Sequence, residues 1–335
     1  MIASCAAVAD VPVAAHAAFA AGQDIYLHTY LRPFRRWLDD ARVTEIMVNT
    51  PGEVWVERVG APAMQCERAP GIDEQLLQRL ATQVARASHQ GINREQPLLA
   101  AMLPGGERIQ VVGPPATRSG WAVAIRRHGG VDLRLDDYRF AEAAPALAPA
   151  ACPCTLDGLR EAVAARRTVL ISGGTSSGKT TLLNALLKEI PGHERVVAVE
   201  DTPEIILPQA NSLGLVAVKD AQGEARVGID DLLRASLRLR PDRIVLGELR
   251  GAEAVTFLRA INTGHPGSFS TIHANTAQGA LGQLALMVVQ AGIGLTRSDA
   301  LAYIHGLVDI VVQVARVDGE RRIVGMLDVA AMERR

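Results

Sequence analysis

The sequence predicts an α/β chain: a mostly parallel sheet with helices on both faces in the second half, preceded by a small α+β domain. Two observations carry this expectation. After residue 155, helical periodicity alternates with short apolar runs, and the runs are continuous Val/Ile/Leu stretches of the kind a strand buried on both faces requires. Before residue 128 the pattern is one of short strands around Pro-Gly turns, interleaved with amphipathic helices. At 335 residues and 48% hydrophobic, the chain can bury two sizeable cores.

In the first half, Leu31, Phe34, Trp37 and Leu38 recur at helical spacing. The runs 45–49 and 53–57 flank Pro51-Gly52, a hairpin signal. Ile72, Leu76, Leu77, Leu80, Val84 and Ala87 keep the helical period. Runs 98–103, 108–112 and 121–126 read as strands, the first two joined across Pro104-Gly105-Gly106. From 128 to 154 the pattern dissolves into Gly, Pro, Ala and scattered charge, the composition of a linker. The expected domains are therefore 23–127 and 155–335, with an Ala-rich flexible tail over 1–22.

The second half reads as helix 156–166, strand 168–172, helix 180–190, strand 195–199, helix 229–239 and strand 243–246. It continues with helix 252–261, strand 268–272, helices 277–290 and 297–306, and strand 309–314. No internal repeat is visible.

Bulk properties narrow the function classes. Lys+Arg (35) and Asp+Glu (36) cancel to a net charge of -1, so no global field draws the chain to nucleic acid or to an anionic membrane. No specific nucleic-acid site is evident. The tail has no Lys or Arg to form a signal-peptide n-region, and Asp10 interrupts it. Nowhere else do about 18 apolar residues run free of charge, so no bilayer-spanning helix is expected. The four cysteines make no two-pair metal spacing, and Cys152-Pro153-Cys154 reads as incidental; a reducing cytoplasm fits this usage.

The chemistry starts at Gly173-Gly174-Thr175-Ser176-Ser177-Gly178-Lys179-Thr180, which satisfies G-x-x-x-x-G-K-[ST]. The string opens where a predicted strand ends and closes where an amphipathic helix with Leu182, Leu183, Leu186 and Leu187 begins. In that context, backbone amides and the helix N-terminus converge on phosphate. The expected ligand is ATP with Mg2+: Lys179 bridges the β- and γ-phosphates, the Thr180 hydroxyl ligates the ion, and Thr181 completes the nucleotide-binding set. The alternative, a Gly/Ser-rich strand-to-helix turn, gives no reason for a lysine at the helix start.

Two apolar strands then end in acids. Arg243-Ile244-Val245-Leu246-Gly247-Glu248 resembles a Walker B segment with Gly247 where many NTPases place Asp, so Glu248 takes the magnesium-side role. Run 195–199 delivers Glu200-Asp201-Thr202-Pro203-Glu204. Binding crevices of open α/β sheets lie at strand C-termini. One of the two acids must orient or deprotonate the attacking water, and Glu200 is assigned that role; a solvated loop acid or a helix cap is the alternative for either acid alone. In the segment 264–275, His273 is expected as a γ-phosphate sensor and His265 as a phosphate contact, against a purely structural role for either histidine.

These segments, in this order and approximate spacing, resemble the Walker A, Asp, Walker B and His boxes of the secretion-superfamily traffic ATPases. Glu-Asp-Thr-Pro-Glu at 200–204, Gly-His-Pro-Gly at 264–267, Leu103-Pro104-Gly105-Gly106-Glu107-Arg108 and Trp37-Leu38-Asp39-Asp40 look most like the VirB-eleven branch of type IV secretion. The resemblance runs from about Tyr26 to Val329. It implies a RecA-like P-loop NTPase domain in a homohexameric, cytoplasmic ring. The ring docks on inner-membrane secretion-complex components, among them other secretion ATPases, and ATP is bound at the domain interface.

By the same resemblance, Arg108 and Arg126 approach the phosphates and Asn49 approaches the nucleoside. An arginine completing the γ-phosphate charge can be worth roughly 10³ to 10⁵ in rate, although either residue also reads as a solvated strand arginine. Ser176-Ser177 departs from the Gly-Ser commoner in the family, restricting the backbone while keeping its donors. Rival readings are a conjugative-transfer, pilus or type II secretion ATPase sharing all four boxes, and a RecA-like nucleic-acid motor. The motor would call for a basic, aromatic-rich face in a chain that is 4% aromatic.

Overall fold

Asp73 fixes the start of the first half's long helix, its carboxylate accepting the amide of Leu76 at 2.7 Å. The computed structural model describes residues 24–61, 63–88, 90–127, 133–141, 155–219, 226–317 and 320–331. The tail expected over 1–22 and Cys152-Pro153-Cys154 lie outside them. The main division into two compact units falls between Arg127 and His128.

In the first unit, helices α1 (Asp24–Leu31) and α2 (Arg35–Leu38) precede strands β1 (Val43–Thr50), β2 (Glu53–Arg58) and β3 (Gln65–Arg68). Helix α3 (Glu74–Ala87) and strands β4 (Leu98–Met102), β5 (Arg108–Val112) and β6 (Ala122–Arg126) follow. The six strands form one antiparallel sheet in the order β3-β2-β1-β6-β5-β4. Alternation sets its buried face: Ile46, Val48, Val54, Val56, Ile109, Val111, Val123 and Ile125 share one core with Phe34, Trp37 and the Leu77, Leu80 and Val84 stripe of α3. The run 65–68 gave no strand signal because it is a polar, mostly exposed edge.

The second unit contains α4 (Leu156–Ala164), β7 (Val169–Ser172), α5 (Lys179–Leu187), β8 (Val196–Glu200) and β9 (Ser212–Val216). A small hairpin of β10 (Val218–Lys219) and β11 (Arg226–Val227) leads to α6 (Ile229–Ser236), β12 (Arg243–Leu249), α7 (Glu253–Asn262) and β13 (Phe269–Ile272). Helices α8 (Ala277–Gln290) and α9 (Arg297–His305) and strands β14 (Ile310–Val317) and β15 (Glu320–Asp328) complete it. The seven-stranded sheet runs β15-β14-β7-β13-β12-β8-β9, parallel except for β15. Apolar clusters fill both faces, with α6 to α9 in one and α4 and α5 in the other, as the unbroken apolar strands required.

Part of the stretch expected to be linker is packed instead. Leu135 and Tyr138 are buried in the cluster containing Ile171 and Leu183, and Phe140 bridges to Ile323 of β15. Apolar residues at 133, 135, 138 and 140 anchor an irregular segment whose polar background hid them.

Candidate functional site

Parallel strands bring their C-termini to one edge, and there the chain gathers the ends of β7, β8, β12 and β13. After β7 the backbone turns through Ser176 (φ 58) and Gly178 (φ 94) into α5. Gly178 suits the left-handed region; Ser176 occupies it at a cost of roughly 1 kcal/mol, at the position where glycine is commoner in the family. Gly174, Thr175 and Ser176 are exposed, Gly173 and Ser177 are buried, and Thr180 and Thr181 are half-buried on the first turn. The Ser177 hydroxyl donates to the Gly174 carbonyl at 2.8 Å, tightening the loop.

Lys179 is only 8% exposed. Its ammonium donates to the carbonyls of Gly173 and Gly174, both at 3.0 Å, and lies 3.3 Å from His273 Nδ1. His273 Nε2, itself 3.4 Å from the ammonium, lies 2.8 Å from Glu248 Oε1. The other Glu248 oxygen pairs with Arg250, whose Nη1 reaches Asp201 Oδ2 at 2.5 Å. One chain of contacts therefore links the phosphate loop, β13, β12 and the loop after β8.

Glu200 ends β8 and is 4% exposed. Burial pushes its carboxyl up to about 7, against the amides of Glu204 and Ile205, which both donate to Oε1 at 2.7 Å. Gly247 lies beside it: a Cβ there would sit 3.5 Å from Glu200 Cγ.

The structure thus brings Lys179, Glu200, Glu248 and His273 to one edge with residues 173–181. His265 is a correction. It precedes β13, so it lies at the opposite edge of the parallel sheet, where its Nδ1 meets the Pro241 carbonyl at 3.0 Å. Gly264-His265-Pro266-Gly267 is a structural turn; Gly267 (φ +74) is needed because a Cβ would come within 2.9 Å of Arg166 Cα and of Arg243 Nη1.

Asn49, Arg108 and Arg126 belong to the first unit. Arg126 stands opposite Arg108 across β5 and β6 and opposite Glu45 across β1 and β6, with Nε 3.6 Å from Glu45 Oε1. The Arg108 and Arg126 side chains emerge on the sheet face away from the core, alternating with buried Ile109 and Ile125. Burial pushes the Glu45 carboxyl up while Arg126 opposes it. Asn49 is exposed on β1, and its carbonyl accepts from the Ser119 hydroxyl at 2.8 Å. Sequence reasoning missed Arg250 and Asp201 as members of the site; Arg250 follows β12 directly and its guanidinium turns back to Glu248.

A family model described as "Type II/IV secretion system protein" matches residues 29–322. The chain belongs to this family. VirB11 of Bartonella quintana, a type IV secretion system protein, is 37% identical over 324 residues, covering 88% of this chain and 90% of that relative. The type IV secretion system protein PtlH of Bordetella pertussis is 40% identical, covering 88% and 93%. The X-ray structure of the Legionella pneumophila ATPase DotB superposes with a TM-score of 0.58 at 18% identity, covering 88% of this chain and 80% of that one, and shows the fold alone. The family member described here is accordingly an ATPase of the VirB11 type, as the four boxes implied, and it binds nucleotide. The pilus and type II alternatives are not favoured. Among the described residues no helix is long and apolar enough to cross a membrane.

Proposed function

We propose that the chain is one protomer of a homohexameric, magnesium-dependent motor whose ATP hydrolysis powers export or apparatus assembly in a type IV secretion system. It acts on the cytoplasmic side, held to the inner membrane through other components of the apparatus. Residues 155–335, together with the packed segment 133–141, are its RecA-like P-loop domain and 23–127 its N-terminal α+β domain. The observation that carries this reading is the Lys179 ammonium at the head of α5, linked through His273 to Glu248.

The loop residues 173–178 present amides to the phosphates, and Lys179 bridges β and γ. Among the described residues no cluster of three His, Cys, Asp or Glu could hold a metal by itself. The oxygen donors Thr180 and Glu248 nevertheless suit magnesium, which takes one or two protein oxygens and completes its shell with phosphate and water. When bound, the ion neutralises charge across the β- and γ-phosphates. Glu200 orients the attacking water and takes its proton as the bond to the leaving β-γ bridging oxygen breaks. His273 senses the γ-phosphate through the contacts it shares with Lys179 and Glu248. Arg108 and Arg126 complete the γ-phosphate charge, and Asn49 approaches the nucleoside.

The test is calorimetry with magnesium-bound ATP and ADP, alongside turnover measured at protein concentrations where mass-resolved analysis reports rings or monomers. Binding that persists in monomers while turnover disappears is the expected outcome. No affinity for either nucleotide would end the motor reading, and equal specific activity at all concentrations would end the ring.

Glu200 makes a pH prediction. A base must be ionised, so kcat/KM is expected to rise with pH through a midpoint of about 7, and Glu200→Gln removes that limb. A profile flat from about pH 6 to 8 would take Glu200 out of the role. Stability runs the other way. Because the folded value is raised from 4.5 to about 7, the carboxyl's contribution is complete below 4.5 and is lost as pH climbs through 7.

A further inference from the structure

Arg321 received no role from the sequence, yet it lies against the phosphate loop. Strand β15 is antiparallel to β14, which is parallel to β7, so the start of β15 shares an edge with the end of β7. The Arg321 stem crosses the last glycine of the loop: a Cβ on Gly178 would come within 2.6 Å of Arg321 Cδ and 3.2 Å of Nε. Beyond the stem, Nη1 donates to Thr181 Oγ1 at 3.3 Å. The guanidinium is thereby held over the first turn of α5.

Among the described residues no carboxylate pairs with Arg321, whereas the neighbouring Arg322 pairs with Glu320 at 3.0 Å and Arg250 with two acids. A half-buried guanidinium whose hydrogen-bond partner among the described residues is a neutral hydroxyl, beside a loop built to hold anions, is matched by an anionic ligand. The position along that ligand follows from Lys179. Its ammonium points toward Gly173, Gly174 and His273, which marks the γ-phosphate side. Arg321 lies past Gly178 at Thr181, on the other side, and loops of this kind cradle the α- and β-phosphates there.

We propose that Arg321 is a nucleotide-binding residue that, with Thr181, contacts the α-phosphate. The proposal rests on the nucleotide reading of the loop and adds to it a ligand contributed by the antiparallel edge strand. It also supplies a second reason for glycine at 178, because any side chain there would displace the arginine stem.

The experiment compares the full-length wild type, Arg321→Gln and Arg321→Lys by calorimetry with magnesium-bound ADP, and records the phosphorus NMR spectrum of bound ADP. Loss of a charge-assisted contact predicts ADP binding about tenfold weaker in Arg321→Gln, with Arg321→Lys intermediate. The α-phosphorus resonance is expected to move more than the β resonance. Equal affinity in wild type and Arg321→Gln, or a spectral change confined to the β-phosphorus, overturns the proposal while leaving the nucleotide reading intact. If wild type binds no ADP, the reading fails first. Should Arg321→Gln not fold, Arg321→Lys decides, since it keeps the stem over Gly178; binding equal to wild type overturns the contact.

Discussion

Lys179→Ala is expected to lower ATP turnover on the order of 10³-fold, the scale seen when one preorganised charge stabilising a transition state is removed. The geometry gives the reason. The ammonium is buried and already restrained by the Gly173 and Gly174 carbonyls and by His273, so no reorganisation is needed when negative charge develops on the transferred phosphoryl group. Removing it also deprives His273 of its Lys179 neighbour and slackens the link to Glu248. Turnover is the primary measurement, and the denaturation midpoint of the same sample separates chemistry from folding. Lys179→Met serves as a second variant that keeps the aliphatic stem. Retention of more than about a tenth of wild-type turnover in a folded variant would contradict the assigned role.

The two halves of this site were legible to different degrees for physical reasons. The phosphate loop and the acids at 200 and 248 could be read because buried parallel strands are unbroken apolar runs, so the first polar residue after each run marks the functional edge. Residues set in half-exposed or irregular elements gave no such signal. Strand β15 mixes charge, glycine and apolar residues, as an edge strand does, and Arg321 was lost with it. Tyr138 and Leu135 anchor a segment without periodicity, so composition alone labelled it linker. His265 was misplaced for the opposite reason. It belongs to a functional-looking string, but it enters β13 whereas His273 follows its end, and in a parallel sheet those ends lie on different edges.

That second edge carries the other large expected effect. Arg243 is fully buried at the start of β12, and its Nε and Nη2 hold Glu194 Oε2 and Oε1 at 2.6 and 3.0 Å, a bidentate pair. Arg166 adds a second cation 3.4 Å from Glu194, and the Arg243 guanidinium holds the Glu194 carboxyl below the usual carboxylate range. Removing one partner leaves the other charge buried, so Arg243→Ala is expected to cost about 3 to 5 kcal/mol of stability in urea unfolding. Replacing both, as in Arg243→Met with Glu194→Leu, removes the stranded charge and should recover most of that loss. The depressed folded value of Glu194 also sets a sign: the pair's contribution is complete above the ordinary 4.5 and is lost as pH falls through the lower folded value, so the gap between wild type and the double variant narrows in acid. A loss below about 1 kcal/mol for Arg243→Ala would mean that water reaches Glu194, and that the arginine beginning this strand contributes no more than a surface ion pair.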